Sequence, residues 1–123
     1  MNLDEFRREM AAYRQAADEE AMSLKDSYLA LDLLHSLYRK FDDEERVMAN
    51  QVLAEWALSD DEKVRFDALA LIDDFQIKTA IPALHELVAR LALVYAPGAP
   101  YEQQKANRII RDLSERTKKS RSC

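Results

Sequence analysis

Apolar residues recur three and four positions apart along most of the chain, the period of a helix with one buried face. Leu3, Phe6, Met10, Tyr13 and Ala17 predict a first helix over about 3–20. Ala30, Leu33, Leu34, Leu37 and Phe41 mark the inner side of a second, over about 26–40. Asp42 and Glu45 fit a capping box, so a third helix is expected over 43–58, with Met48, Ala49, Val52, Leu53 and Trp56 inward. Ser59 and Glu62 fit the same pattern and open a fourth that ends near Phe75. Thr79 is the expected cap of a fifth over about 80–95, with Pro82 in the first turn, where its missing N–H is harmless. Ala96-Pro97-Gly98-Ala99-Pro100 breaks the pattern before a sixth, over about 101–118.

The second, fourth and sixth helices share one register. A shift of 38 positions aligns Ala30 with Ala68 and Ala106, and Leu33 with Leu71 and Ile109. The same shift aligns Leu34 with Ile72 and Ile110, and Leu37 with Phe75 and Leu113. Leu53 with Leu91 and Trp56 with Val94 extend the match to the intervening helices. The first helix is out of register by about two residues, as a capping element would be. A constant offset held through three copies points to a repeated helical tile.

One tile resembles the HEAT-repeat family. Asp61, Val64, Arg65, Ala68, Leu69, Ile72 and Asp74, followed by Ile81, Pro82 and Leu84, carry the likeness. It is good over 61–95, fair over 26–58 and covers half a repeat over 101–117, at a period slightly below the usual length of about 40–47 residues. The resemblance implies an all-α fold: a short right-handed α-solenoid of about two and a half HEAT-like hairpins, six helices in all. The expected organisation is a single domain over 1–118 and a flexible tail over 119–123.

The composition agrees with helices: 48% apolar and 33% charged residues suit a folded chain, and one Gly with three Pro leaves little for tight β turns. The only cysteine, Cys123, allows no internal disulfide. No uninterrupted apolar stretch opens the chain, so a cytoplasmic location is the expectation. Net charge is −5 and uneven: residues 1–62 carry 7 Lys+Arg against 16 Asp+Glu, whereas residues 63–123 carry 11 against 7.

Candidate chemistry is sparse. His85-Glu86 opens like a zinc-protease helix, but the second His position holds Ala89. Asp32 and His35 resemble half of a di-iron ligand pair, and one repeat later those positions are Ala70 and Asp73. Neither a phosphate-binding glycine loop nor a nucleophile elbow is present. The expectation is a non-enzyme with no metal and no cofactor.

A binding surface remains. Stacked helical hairpins bind partners along one exposed helix layer. Opposite the inner stripes lie Glu44, Val47, Gln51, Glu55 and Leu58 on the third helix, and His85, Glu86, Ala89 and Leu93 on the fifth. Small and apolar residues ringed by acids suit a protein partner with a basic rim. The resulting expectation is a non-catalytic protein–protein interaction module. Its most specific form is an immunity protein that binds and neutralises a cognate bacterial toxin, since compact acidic HEAT-like proteins are similar to that class. An adaptor or regulatory scaffold in a cytosolic complex is the alternative, and a homodimer would use the same apolar residues. A third reading is nucleic-acid binding through Lys105, Arg108 and Arg111, reinforced by Arg116, Lys118, Lys119 and Arg121.

Overall fold

A computed structural model describes the backbone of residues 2–122 and the side chains of residues 2–115. The expected tail over 119–123, and the side chains of Arg116, Lys118, Lys119, Arg121 and Cys123, lie outside the described side chains. Among the described residues there are six α-helices: α1 (Leu3–Ser23), α2 (Leu29–Lys40), α3 (Asp43–Trp56), α4 (Glu62–Asp74), α5 (Ile81–Leu91) and α6 (Ala99–Ser122). A single 3-10 turn, Lys78–Ala80, precedes α5. There is no strand among the described residues. The chain divides into two compact units, Met1–Val52 and Leu53–Cys123.

In the first unit α1 packs on α2. The Asn2 side chain caps α1 by accepting from the Glu5 amide at 2.8 Å. Ala17 and Ala21 of α1 meet Ala30 of α2, with Leu29 and Leu33 against them, and small side chains permit this close approach. At the other end Phe6 and Phe41 stack at 5.1 Å between ring centroids, in a tilted geometry favourable for aromatic pairs. Tyr38, not the expected Leu37, goes deepest on this side of α2. Its hydroxyl donates to Asn50 at 2.8 Å and the Arg46 guanidinium lies 5.0 Å from its ring centroid. α2 starts at Leu29 rather than Asp26, because the Asp26 carboxylate is held in a turn by the Tyr28 amide. The Asp42–Glu45 box forms in full: each backbone amide donates to the other side chain, at 2.8 and 3.0 Å.

In the second unit α5 packs on α6, and α4 also touches α6. Ala68, Leu71, Ile72, Leu84, Leu87, Ala106, Ile109 and Leu113 form its buried centre. The expected Ser59 cap is not made. Asp61 caps α4 by accepting from the Lys63 amide, while the Ser59 hydroxyl accepts from the Asp61 amide, so the helix begins at Glu62, directly after its cap. Thr79 does not cap α5 either: the Ala80 and Ile81 amides are already bonded within the 3-10 turn, to Ile77 and Lys78. α5 ends at Leu91 rather than near Tyr95, which leaves Leu93 and Val94 on the α5–α6 connection. Leu58 likewise lies past the end of α3.

Two helices end in Schellman motifs without glycine. After α4 the Ile77 amide bonds the Ile72 carbonyl and the Gln76 amide the Asp73 carbonyl, with Gln76 at φ 56°. After α1 the Asp26 amide bonds Ala21 and the Lys25 amide bonds Met22, with Lys25 at φ 53°. Of the twelve positions that the 38-residue shift aligns in α2, α4 and α6, nine are buried and Leu33, Leu37 and Phe75 are half-buried; of the two further pairs, Leu53 and Leu91 are buried, Trp56 is half-buried and Val94 is exposed.

Candidate functional site

A concavity lies wholly within the second unit. It is a groove of about 440 Å³ formed by the α3–α4 connection, the start of α4, the last turns of α5, the α5–α6 connection and the start of α6. That volume falls in the range of ligand-binding clefts, about 300–1,000 Å³. Its apolar lining is Leu58, Leu87, Leu91, Val94, Ala96 and Pro97. Its polar lining is Ser59, Asp60, Glu62, Arg65, Arg90 and Glu102.

Two arginines organise the groove. The backbone carbonyls of Leu58 and Ser59, just past the end of α3, take side-chain donors. Arg65 of α4 donates to the Ser59 carbonyl at 2.9 Å, and Arg90 of α5 to the Leu58 carbonyl at 3.2 Å. Arg65 also donates through Nε to Glu102 of α6 at 2.8 Å, a pair whose side chains are only 16% and 14% exposed. The hydrogen bond that Arg65 donates to Glu102 raises the Arg65 pKa; burial opposes it, and the Glu102, Glu62 and Asp61 charges assist. Arg90 completes its bonding with Glu86 one turn earlier on α5 at 2.9 Å. Both guanidinium groups are therefore occupied within the fold.

The α5–α6 connection and the first turn of α6, which help to wall this groove, carry four of the large exposed apolar side chains of the second unit; another, Phe66, lies under Lys105. Leu93 is 84% exposed, Val94 50%, and Tyr95 and Tyr101 still more than Val94. Leu93 to Tyr101 form the connection into α6 and its first turn. In the first unit Met22, Leu24, Tyr28 and Val47 are exposed.

The residues singled out from the sequence are distributed as follows. Glu44, Val47 and Gln51 are exposed on the part of α3 in the first unit, whereas Glu55 and Leu58 are half-buried in the second. His85, Glu86 and Ala89 are exposed on α5, and Leu93 projects from the connection that follows it. The groove brings Leu58 together with Arg65, Arg90 and Glu102, none of which was expected there.

Two of the three described basic side chains of α6 are engaged within the fold. Lys105 lies 4.3 Å from the centroid of the Phe66 ring, and burial lowers its pKa with help from nearby Arg108. Arg108 bridges Asp73 at 3.2 Å and Asp112 at 3.0 Å. Arg111 is exposed. His35 Nδ1 lies 2.8 Å from the Leu31 carbonyl, so that nitrogen carries the proton. Among the described residues no group of three His, Cys, Asp or Glu is placed to hold a metal ion, and no helix is long and apolar enough to cross a membrane.

Compared with known proteins, the chain matches no family model, no curated protein and no solved structure at a significant level.

Proposed function

We propose that the chain is a non-catalytic protein-binding module, in its most specific form a cytoplasmic immunity protein that neutralises a cognate bacterial toxin. The observation that carries the reading is the set of large apolar side chains, Leu93, Val94, Tyr95 and Tyr101, exposed beside a groove with an acidic mouth. Aromatic and aliphatic anchors next to charge are the composition of protein interfaces. The −9 balance of residues 1–62 adds attraction for a basic partner. The nucleic-acid reading is the weaker one, because Lys105 and Arg108 are engaged by Phe66, Asp73 and Asp112. In this proposal the tiles stack as a short right-handed α-solenoid of HEAT-like hairpins, a reading supported by the twelve positions equivalent in α2, α4 and α6, none of which is exposed, and opposed by Val94, the exposed counterpart of Trp56.

The test is capture of partners on the tagged chain in its native host. Recovery of a basic toxin whose activity is suppressed by one equivalent of the chain supports immunity. Recovery of a housekeeping enzyme makes the chain an adaptor. Failure to retain any protein, together with duplex DNA binding that weakens steeply with salt, overturns the reading.

A further inference from the structure

We infer that the groove of the second unit receives an extended segment of a partner protein that presents a large apolar side chain flanked by Lys or Arg. The inference rests on the protein-binding reading and names the partner chemistry at one site. Leu58, Leu87 and Leu91 form an apolar floor that a leucine-sized side chain can cover. An anionic ligand is disfavoured, because the guanidinium groups of Arg65 and Arg90 already face Glu102, Glu86 and two backbone carbonyls.

The charge left over is negative. Asp60 and Glu62 line the groove, are exposed, and make no ion pair among the described residues. Capping α4 needs only Asp61, which supplies the bond to Lys63. The two remaining carboxylates therefore face solvent beside an apolar floor, and a cation next to a hydrophobic side chain complements both.

Gly98 provides a clean test. It lines the groove, and a Cβ built there meets only Glu62 Oε1, at 4.0 Å. Gly98→Phe therefore starts its side chain in open space at the wall of the groove, where the ring competes with an occupant. The probe is a labelled hexapeptide alternating leucine and lysine, followed by fluorescence anisotropy at low salt, with a leucine–glutamate hexapeptide as its counterpart. The expected results are binding of the lysine peptide at least about tenfold tighter than its counterpart, a difference of about 1.4 kcal/mol. Gly98→Phe, and separately Asp60→Asn with Glu62→Gln, should each weaken it by a similar factor while melting temperature and helical circular dichroism stay unchanged. Asp18→Asn with Glu19→Gln removes the same charge from the first unit and should leave binding intact.

Absence of binding, indifference to Gly98→Phe, or equal loss in both neutralised variants overturns the inference. So does displacement of the peptide by an equal concentration of spermidine, which would make the occupant a small cation. A native partner retained equally by the unaltered chain and by Gly98→Phe would remove the groove from recognition while leaving the protein-binding reading in place.

Discussion

The Arg65–Glu102 pair joins α4 to α6 beneath the groove, and its removal can be worked through from the structure. Both side chains are more than four-fifths buried, and Arg65 also holds the Ser59 carbonyl. Arg65→Met leaves the Glu102 carboxylate without its cation and Ser59 without its donor. Breaking a fully buried pair costs about 3–5 kcal/mol; the residual access of water here lowers that to about 2–3 kcal/mol. Glu102→Leu should cost less, about 1–2 kcal/mol, because Arg65 keeps Ser59 and the nearby charges of Glu62 and Asp61. The double variant replaces both charges by apolar groups and should recover part of the loss, with a coupling of about 1–2 kcal/mol. Urea unfolding followed by helical circular dichroism measures all four corners of the cycle. For a chain of this size each kcal/mol also moves the melting midpoint by about 3–6 °C. A coupling below about 0.5 kcal/mol would show that the pair is a surface contact in energetic terms. A larger loss from Glu102→Leu than from Arg65→Met would refute the assignment of Arg65 as the better supported partner.

Gln76 occupies a left-handed position at φ 56°, so Gln76→Gly should be more stable than Gln76→Ala by about 1 kcal/mol in the same urea assay. Equal stability of the two variants would refute strain at that residue. Lys105 has its pKa lowered below 10.5 by burial, so between the folded value and 10.5 the unfolded chain binds more protons and stability rises with pH. The stability of the native chain relative to Lys105→Met should therefore improve as pH rises towards 10.5; no change across that window would refute it. Tyr38 is the opposite case. Burial raises its pKa above 10.0, against the effects of Arg46 and the Asn50 hydrogen bond, so the folded chain holds the proton longer and stability falls as pH passes 10.0. Tyr38→Phe should lose about 1 kcal/mol near neutral pH, a deficit that shrinks above pH 10.0 in pH-dependent urea titrations.

Helix existence was legible in the sequence because a three-and-four spacing of apolar residues requires no knowledge of the neighbours. The aligned positions show how far that reaches: Ala68, Leu71 and Ile72 and their counterparts Ala106, Ile109 and Ile110 are all buried. Helix ends were less legible, since several side chains compete for the same few amides. Ser59 and Asp61 both precede α4, and the aspartate wins because its carboxylate reaches the Lys63 amide while the serine hydroxyl is used by Asp61 itself. At α5 the Thr79 signal lost to backbone bonds of a 3-10 turn. The choice of Tyr38 over Leu37 for the deeper place depends on Asn50, which sits on another helix.

The groove was not legible by local pattern, because its residues come from five segments and each is ordinary in its own context. Arg65 belongs to the HEAT-like motif and Glu102 sits in the first turn of α6, where acids are common. Their separation is the informative quantity. Arg65 and Glu102 are 37 residues apart, and Arg108 and Asp73 are 35 apart, both close to the 38-residue shift. Where repeated helices lie side by side, residues about one period apart become neighbours, so opposite charges near that spacing are candidates for cross-helix pairs. A sequence with a detected period thus carries tertiary information in its charges as well as in its apolar stripe, and here that information reaches the Arg65–Glu102 and Arg108–Asp73 pairs between α4 and α6.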